Sequence, residues 1–212
     1  MGRLITVEGI DGAGKTTLAV SLVELLAERH GVDARLLREP GGVVLSERIR
    51  DLLKDPEMTI GGRAEALLYA AARAELIEQE VTPLMYSGSW VLLDRYVDSS
   101  LAYQGVARGL GVEDVAAINR FATGGLVPDR TLLLAIDPAA ARQRAYSRGE
   151  APDRLEAEDD SFFTEIAAAY SRFAEAEPER FRVLDASLPP GELLLAAADA
   201  VADLIAQTDS AP

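Results

Sequence analysis

The 212-residue chain contains no cysteine, and its only histidine is His30. These absences exclude disulfide frameworks, thiolate zinc sites and nucleophilic catalysis by a Cys/His pair. The longest uninterrupted apolar run, Ala66 to Ala72, is far shorter than the roughly 20 residues that span a membrane. Met1 leads directly into a strand pattern without the apolar segment of a signal peptide. We therefore expect a cytoplasmic protein with no membrane partner.

Basic residues are outnumbered, with 21 Lys and Arg against 35 Asp and Glu and a formal net charge of −14. Such a balance argues against broad binding to nucleic acid or anionic membranes, which need a basic face to displace counterions. Any anionic ligand must therefore meet a local cluster of positive charge. Only Lys15 and Lys54 are lysines, and the remaining basic residues are arginines, which suit bidentate phosphate recognition.

Short β-like runs alternate with longer helical patterns along the whole chain. The runs are Leu4–Glu8, Ala34–Arg38, Trp90–Asp94, Thr131–Asp137 and Phe181–Asp185. This alternation predicts one α/β domain over residues 1–212, with a five-stranded parallel sheet and helices on both faces. Ligands of such sheets bind beyond the carboxyl ends of the strands. The residues directly after several of these runs are unusually polar.

A glycine-rich segment follows the first run and opens an amphipathic helix, which is the context that a phosphate-binding P-loop requires. Backbone N–H groups and the helix N-terminus would hold phosphate oxygens, Lys15 would reach the β- and γ-phosphates, and the Thr16 hydroxyl would face Mg²⁺. The sequence therefore predicts a nucleoside triphosphate site. Its predicted ATP-binding residues are Gly9, Ile10, Asp11, Gly12, Ala13, Gly14, Lys15, Thr16 and Thr17.

Two large P-loop classes do not fit the chain. The Asn-Lys-x-Asp guanine motif of GTPases is absent, because the only asparagine, Asn119, is followed by Arg120. An ABC-type ATPase carries a glutamate after its Walker B aspartate, whereas Asp94 is followed by Arg95. A small kinase remains, in which Asp94 would serve Mg²⁺ and Arg95 would serve a phosphate.

Two segments between the strand runs have opposite characters. Residues Arg63 to Tyr86 contain no internal glycine and keep helical spacing, with Pro83 predicted to bend or end the helix. Residues Ser147 to Asp160 lose apolar periodicity and are dominated by charge, so they are a candidate mobile segment over the site, called the lid below. A solvated loop between two helices is the alternative reading of the same composition.

Four sequence blocks together resemble bacterial thymidylate kinase, a P-loop nucleoside monophosphate kinase, and the resemblance covers nearly the whole chain. The blocks are Glu8–Thr17, Arg38–Gly42, Asp94–Tyr96 and Ala102–Gly105. The resemblance implies phosphoryl transfer from ATP to dTMP in dTTP biosynthesis, with Mg²⁺ on the donor phosphates and a homodimeric enzyme. An oxygen of the dTMP phosphate is already ionised at neutral pH, so no side chain is needed to remove a proton from it.

The resemblance also implies roles for the substrate-binding residues. Arg95 and Arg38 match arginines that hold the acceptor phosphate. Tyr69 stands where the family usually has a phenylalanine stacked on thymine, and Arg73, one helical turn later, would bond a ring carbonyl. The remaining matches are Ser100, Tyr103 and Gln104 near the thymine and deoxyribose, with Tyr103 excluding a ribose 2′-hydroxyl, and Asp11 at the sugar 3′-hydroxyl.

In the family, an acidic P-loop such as this one takes its catalytic arginine from the lid. Arg144 and Arg148 lie four positions apart on one predicted helix face, and Arg154 follows across Gly149 and Pro152. Arg148 and Arg154 are therefore the predicted catalytic arginines beside Lys15 and Arg95, and Arg144 is a predicted ATP contact. The sequence leaves open which lid arginine reaches the transferred phosphoryl group.

Competing functions remain at this point. A deoxynucleoside kinase phosphorylates a hydroxyl and benefits from a carboxylate base, which Glu39 could supply. Another nucleoside monophosphate kinase would share the same motifs. A nucleotide-sensing regulator without turnover would need an effector domain, and none is visible in the sequence.

Overall fold

The computed structural model describes residues 1–147, 149 and 153–209. Its five strands are β1 (Leu4–Glu8), β2 (Ala34–Arg38), β3 (Trp90–Asp94), β4 (Arg130–Ala135) and β5 (Phe181–Asp185). They form one all-parallel sheet in the order β2-β3-β1-β4-β5. The predicted α/β class and five-stranded parallel sheet are confirmed.

Helices connect the strands and cover both faces of the sheet. They are α1 (Lys15–His30), α2 (Val44–Lys54), α3 (Gly62–Leu76), α4 (Thr82–Tyr86), α5 (Val97–Ser100), α6 (Val112–Thr123), α7 (Pro138–Tyr146), α8 (Asp160–Ala176) and α9 (Pro190–Asp209). On one face, Ile5 and Val7 of β1 pack in a core with α1 and α9. On the other face, Leu133 packs against α8, and Leu93 packs against Leu76 at the end of α3. No helix in the described part of the chain is both long and apolar enough to cross a bilayer.

The predicted fourth strand, Thr131–Asp137, was wrong at both ends, since β4 starts at Arg130 and stops at Ala135. The reason lies in the next helix. Asp137 is the N-cap of α7, where its carboxylate accepts a hydrogen bond from the Ala140 amide, and Pro138 opens the helix. A cap residue has non-helical backbone angles but belongs to the helix start, so the apolar Ile136 before it only appears to continue the strand.

The helical path from Gly62 to Tyr86 is continuous, but it widens into a π-helical segment at Ile77–Val81 between α3 and α4. Pro83 lies in the first turn of α4, so the path runs three residues past it. A proline ring clashes with the carbonyl four residues earlier in an α-helix, and the wider π-turn directly before Pro83 moves that carbonyl. A second π-helical segment, Leu101–Ala107, continues α5 and carries Tyr103 and Gln104.

The lid lies between α7 and α8. Residues 148 and 150–152 fall outside the described residues, and Asp153–Ala157 form turns before α8 starts at Asp160. Asp153 pairs with Lys54 at 2.9 Å, and the Arg154 amide donates to the Lys54 carbonyl at 3.4 Å. The described part of the lid therefore contacts the end of α2 as well as the helices it connects.

Candidate active site

Glycines shape the loop between β1 and α1 because its backbone enters the left-handed region. Gly12 has φ 85°, and a Cβ there would lie 2.0 Å from the Ala141 carbonyl oxygen, so only glycine lets the loop pack on α7. Gly14 has φ 94° directly before the first turn of α1, and no atom lies within 4 Å of the position a Cβ would take. The loop thus leaves open space at the N-terminus of α1, where its free N–H groups favour an anion.

Lys15 is buried in this loop and folds back over it. Its Nζ donates to the Ile10 carbonyl at 2.9 Å and lies 3.9 Å from Asp11 Oδ1. Burial lowers the pKa of Lys15 to about 8, and the nearby Arg95 guanidinium adds to this effect. An arriving phosphate would favour the charged amine, so phosphate binding and protonation of Lys15 reinforce each other.

Thr16 and Asp94 meet across the sheet edge. The Thr16 hydroxyl donates to Asp94 Oδ2 at 2.5 Å, joining the first turn of α1 to the end of β3. Mg²⁺ prefers oxygen ligands and is usually held by one or two carboxylates together with substrate phosphates. A hydroxyl and a carboxylate placed beside the phosphate loop fit that ligand preference.

Arg95 is the most constrained side chain of the site. It is the only described residue other than glycine with a positive φ, at 73°, in the turn that ends β3. Its guanidinium donates to the Gly9 carbonyl at 3.2 Å, Ser99 Oγ at 3.1 Å, Asp11 Oδ1 at 2.6 Å and the Tyr103 hydroxyl at 3.1 Å. Tyr103 in turn donates to Asp11 Oδ2 at 3.1 Å.

This cluster decides the charge of Asp11. Burial alone would raise the pKa of the Asp11 carboxyl, but Arg95 and Lys15 overcome it and lower the pKa below its usual range. Asp11 is therefore ionised throughout the physiological range. It is an acceptor available to a hydroxyl beside the phosphate loop.

Arg73 lies at the opposite end of the cleft and is almost entirely buried, with 1% of its surface exposed. It bonds Glu39 Oε2 at 2.5 Å, Ser100 Oγ at 3.1 Å and the Tyr96 carbonyl at 3.0 Å, and it also donates to Asn119 Oδ1. Burial raises the pKa of Glu39 to about 7, against the effect of Arg73. Glu39 Oε1 is buried and has no hydrogen-bond partner among the described residues.

A cleft of about 420 Å³ joins these groups. Most of the predicted site residues line it, namely Asp11, Gly12, Gly14, Lys15, Thr16, Thr17, Arg38, Tyr69, Arg73, Asp94, Arg95, Ser100, Tyr103, Gln104 and Arg144. Gly9, Ile10 and Ala13 belong to the same loop but do not face the cleft. Their backbone shapes the loop from behind, since the Gly9 and Ile10 carbonyls accept bonds from Arg95 and Lys15.

Arg38 and Arg144 also line the cleft, and each bonds one partner among the described residues. Arg38 is largely exposed and pairs with Glu47 at 3.1 Å, while Arg144 donates to the Ala186 carbonyl at 2.8 Å. Arg50 also lines the cleft and donates to the Pro40 carbonyl at 2.8 Å, which the sequence reasoning missed. It lies in the middle of α2 with no motif around it, so only the fold brings it to the site.

Arg154, one of the two predicted catalytic arginines of the lid, bonds α2 and α3 and not the phosphate loop. Arg154 Nη1 lies 2.6 Å from the buried carboxylate of Glu65 on α3, and its Nε donates to the Leu53 carbonyl at 3.0 Å. Arg154 does not line the cleft, and its Nη2 is buried without a partner among the described residues. Arg148 lies outside the described residues. The catalytic roles of both arginines stay predictions.

Three carboxylates organise the site in roles that the sequence did not predict. Glu8 lies beneath Arg95, Glu39 pairs with Arg73, and Glu65 accepts from Gln104 at 3.0 Å as well as from Arg154. Each has partners more than 25 residues away in the chain. The sequence shows an acid in each place but not its burial, which comes from packing between distant elements.

Comparisons with known proteins agree with this geometry. The family model for thymidylate kinase matches residues 7–195. The curated thymidylate kinase of Halorhodospira halophila is 47% identical over 206 residues, covering 96% of this chain and 95% of that protein. That of Deinococcus radiodurans is 47% identical over 193 residues, covering 91% and 92%.

A solved structure of a thymidylate kinase has a similar fold. The crystal structure of thymidylate kinase from Ehrlichia chaffeensis superposes with a TM-score of 0.75 at 28% identity, covering 93% of this chain and 97% of that one. Both the sequence relatives and this structure share nearly the full length of the chain. The chain belongs to the thymidylate kinase family.

Proposed function

We propose that the cleft binds ATP at the phosphate loop and dTMP at the Arg73 end, with phosphoryl transfer beside Arg95. The chain is an ATP-dependent kinase that converts dTMP to dTDP, as its family membership indicates. The observation that carries the arrangement is the placement of Arg95. It lies between the phosphate loop, through Gly9 and Asp11, and Tyr103 on the acceptor side.

The donor half of this proposal rests on the loop and its neighbours. Backbone amides at the start of α1 and the amine of Lys15 would hold the ATP phosphates, and Arg144 would contact the nucleotide from α7. Thr16 and Asp94 would hold Mg²⁺, which neutralises charge on the donor phosphates when bound. The hydrogen bond between them supports this pairing, because it brings the two oxygens together beside the phosphate loop.

The acceptor half needs positive charge but no base. An oxygen of the dTMP phosphate is already ionised and can attack the γ-phosphorus of ATP directly, which releases ADP. Arg95, Arg38 and Arg50 all line the cleft and would hold that phosphate in line. Since Asp11 is ionised and bonded to Arg95, it would accept the deoxyribose 3′-hydroxyl while keeping Arg95 in place.

The base would occupy the space between Tyr69 and Arg73. Tyr69 offers a ring for stacking, and Arg73 is fixed by Glu39, Ser100 and Asn119 so that few of its donors are free to rotate. Gln104, held by Glu65, adds an amide beside the thymine. Tyr103 packs where a ribose 2′-hydroxyl would enter.

The deoxynucleoside kinase alternative is not favoured. The chain matches the thymidylate kinase family model and curated thymidylate kinases over nearly its full length. The carboxylate considered as its base, Glu39, is paired with Arg73 in the base end of the cleft.

We further propose a cytoplasmic homodimer. Three neighbouring helices expose large apolar side chains, including Val44 and Leu52 on α2, Leu67 on α3 and Phe121 on α6, the last with 93% of its surface exposed. Large apolar side chains left exposed on adjacent helices are typical of subunit interfaces. Light scattering tests the dimer, and Phe121→Glu should shift the mass toward that of one chain.

The reaction is tested by a coupled ADP-release assay with ATP and each nucleoside monophosphate, and with thymidine. We expect turnover with dTMP far above that with the other monophosphates. A preference for thymidine over dTMP would overturn the proposal.

A further inference from the structure

Glu8, at the end of β1, is a fully buried carboxylate with an unusual set of donors. Its Oε1 accepts from the Tyr96 amide at 2.8 Å. Its Oε2 accepts from the Ser99 hydroxyl at 2.6 Å and the Tyr170 hydroxyl at 2.8 Å. The donors come from the turn after β3, from α5 and from α8. One carboxylate therefore joins four elements below the cleft.

Two of these donors control Arg95. Tyr96 directly follows Arg95, whose φ of 73° is costly for a residue with a side chain. The bond from the Tyr96 amide to Glu8 fixes the chain on one side of that turn, and the Arg95 amide donates to the Val7 carbonyl at 3.1 Å on the other. Ser99, the second donor, accepts from Arg95 Nη1 at 3.1 Å. Glu8 thus acts on both the backbone and the guanidinium of Arg95.

The third donor links the helix that follows the lid. Tyr170 lies in α8, and its hydroxyl reaches the same Glu8 oxygen as Ser99. A carboxylate in this position is unfavourable by itself, because burial raises the pKa of Glu8 and the nearby Asp98 raises it further. A neutral side chain of the same shape should therefore be accommodated by the fold, which makes Glu8→Gln a usable variant.

We propose that Glu8 is a positioning residue for Arg95, acting through the Tyr96 amide and the Ser99 hydroxyl, with Tyr170 fixing the carboxylate from α8. The inference rests on the proposed role of Arg95 in holding the acceptor phosphate. It assigns a part in the reaction to a side chain that does not line the cleft. Loss of the network leaves Arg95 in place but poorly aligned.

Steady-state kinetics with dTMP and ATP varied separately test this proposal. We expect Glu8→Gln to lower kcat/KM for dTMP about tenfold and Tyr170→Phe about threefold, with the KM for ATP changed less than about twofold, because misalignment of one contact affects only the substrate it holds. Thr6→Val is the matched control. It lies on the same strand and also loses a buried hydroxyl bond, to Thr131 at 2.9 Å, so it should leave both substrates unaffected.

A double-mutant cycle with Arg95→Lys separates positioning from mere stabilisation. If Glu8 acts through Arg95, Glu8→Gln should cost almost nothing for dTMP in the Arg95→Lys background. Additive losses would overturn the proposal, as would Glu8→Gln and Tyr170→Phe variants that match Thr6→Val. Thermal unfolding checks each variant, and Tyr170→Phe, which removes one hydroxyl, decides the question if Glu8→Gln does not fold.

The same cycle tells the two proposals apart. A strong loss of dTMP use in Arg95→Lys with normal Glu8→Gln overturns only the positioning role of Glu8. Normal dTMP use in Arg95→Lys overturns the role of Arg95 itself and, with it, this inference.

Discussion

Arg95 and Arg154 are both predicted to act on phosphate, but the protein holds them in opposite ways. Arg95 leaves the end of a central strand and bonds four groups from the phosphate loop, α5 and the segment after it. Arg154 lies in a turn of the lid and bonds the Glu65 carboxylate on α3 and the Leu53 main-chain carbonyl on α2. One is fixed by the sheet, while the other depends on contacts between a loop and two helices.

The difference fits the role proposed for each arginine. An acceptor-phosphate arginine must be aligned before the substrate arrives, and the sheet edge supplies that alignment without further ordering. A lid arginine must let nucleotides enter and then contact charge that develops in the transition state. If Arg154 has this second role, it must leave its pair with Glu65 to contact phosphate.

The largest expected effect is at Lys15 in the phosphate loop, which belongs to the same rigid region as Arg95. Lys15→Ala should lower kcat by about 10³-fold or more, because the amine supports charge on the transferred phosphoryl group. The fold should persist, since the charged amine is buried at a cost in the free protein. Steady-state rates and a thermal unfolding curve measure the two effects, and near-normal turnover would contradict the phosphate-loop assignment.

The Glu39→Gln variant tests the buried charges of the cleft through the pH dependence of the unfolding free energy. The folded pKa of Glu39, about 7, exceeds its ordinary value of 4.5, so the native state binds the extra proton between these pH values. Stability from this group is therefore fully present below pH 4.5 and lost as the pH rises through 7. The glutamine variant does not titrate there, so its unfolding free energy relative to the parent should rise by about 3 kcal/mol across that window.

Denaturant titrations at several pH values from acid to neutral give this difference directly. All other titrating groups are shared by the two proteins, so their contributions to the difference in unfolding free energy largely cancel. A difference that stays flat or falls with pH would mean that Glu39 is ionised at its ordinary pKa despite its burial.

On the lid side, Arg154→Ala should lower kcat by about 10²-fold while changing dTMP affinity little, if the arginine leaves Glu65 for the transferred phosphoryl group. Arg172→Ala, an exposed arginine on α8, is the control. Kinetics and calorimetric dTMP binding separate the two parameters. If the lid variant behaves like this control, the lid is a solvated loop with respect to catalysis, and Arg148 and Arg144 become the next arginines to replace.

The sequence predicts the strands and the phosphate loop well, whereas the features that it does not predict mostly depend on contacts between distant parts of the chain. Strands β1, β2, β3 and β5 start and end at the predicted residues, because short β-like runs between helical patterns mark the strands of an α/β sheet. The phosphate loop and Arg95 follow from motifs that are contiguous in the chain. Such features depend on neighbours in sequence.

Glu8, Glu65 and Arg73 show the opposite case. Taken alone, each reads as an ordinary charged residue, yet each is buried and bonded to groups on other elements. The π-helical segments were missed for a related reason, because apolar spacing does not distinguish a π-turn from an α-turn over five residues. Tertiary pairing of polar groups is not encoded in local periodicity.

A smaller effect is expected at Tyr103, which bonds both Arg95 and Asp11. Tyr103→Ala should reduce the preference for dTMP over ribothymidine monophosphate about tenfold, since removing the ring opens space for the 2′-hydroxyl. The ratio of kcat/KM values for the two nucleotides measures it. An unchanged ratio would show that another side chain excludes ribose.

The smallest expected effect concerns Tyr69, the residue at which the chain departs from the usual phenylalanine. Its ring lines the cleft, and burial raises the pKa of its hydroxyl above the ordinary value, so the group stays neutral. Among the described residues, its hydroxyl forms no hydrogen bond that replacement would remove. Tyr69→Phe should therefore change the KM for dTMP by less than about threefold, because stacking depends on the ring and not on the hydroxyl.

Tyr69→Ala supplies the matched comparison, and it should raise the KM for dTMP about tenfold or more, because base stacking on an aromatic ring contributes about 1–3 kcal/mol. Equal losses in the two variants would place the contribution in the hydroxyl, and the tyrosine would then be a specific adaptation of this chain. If only the alanine variant loses affinity for dTMP, the aromatic ring makes the contribution. The fold then holds this ring in place before the substrate binds, as it holds Arg95. Substitutions at position 69 would then be tolerated as long as they keep the aromatic ring.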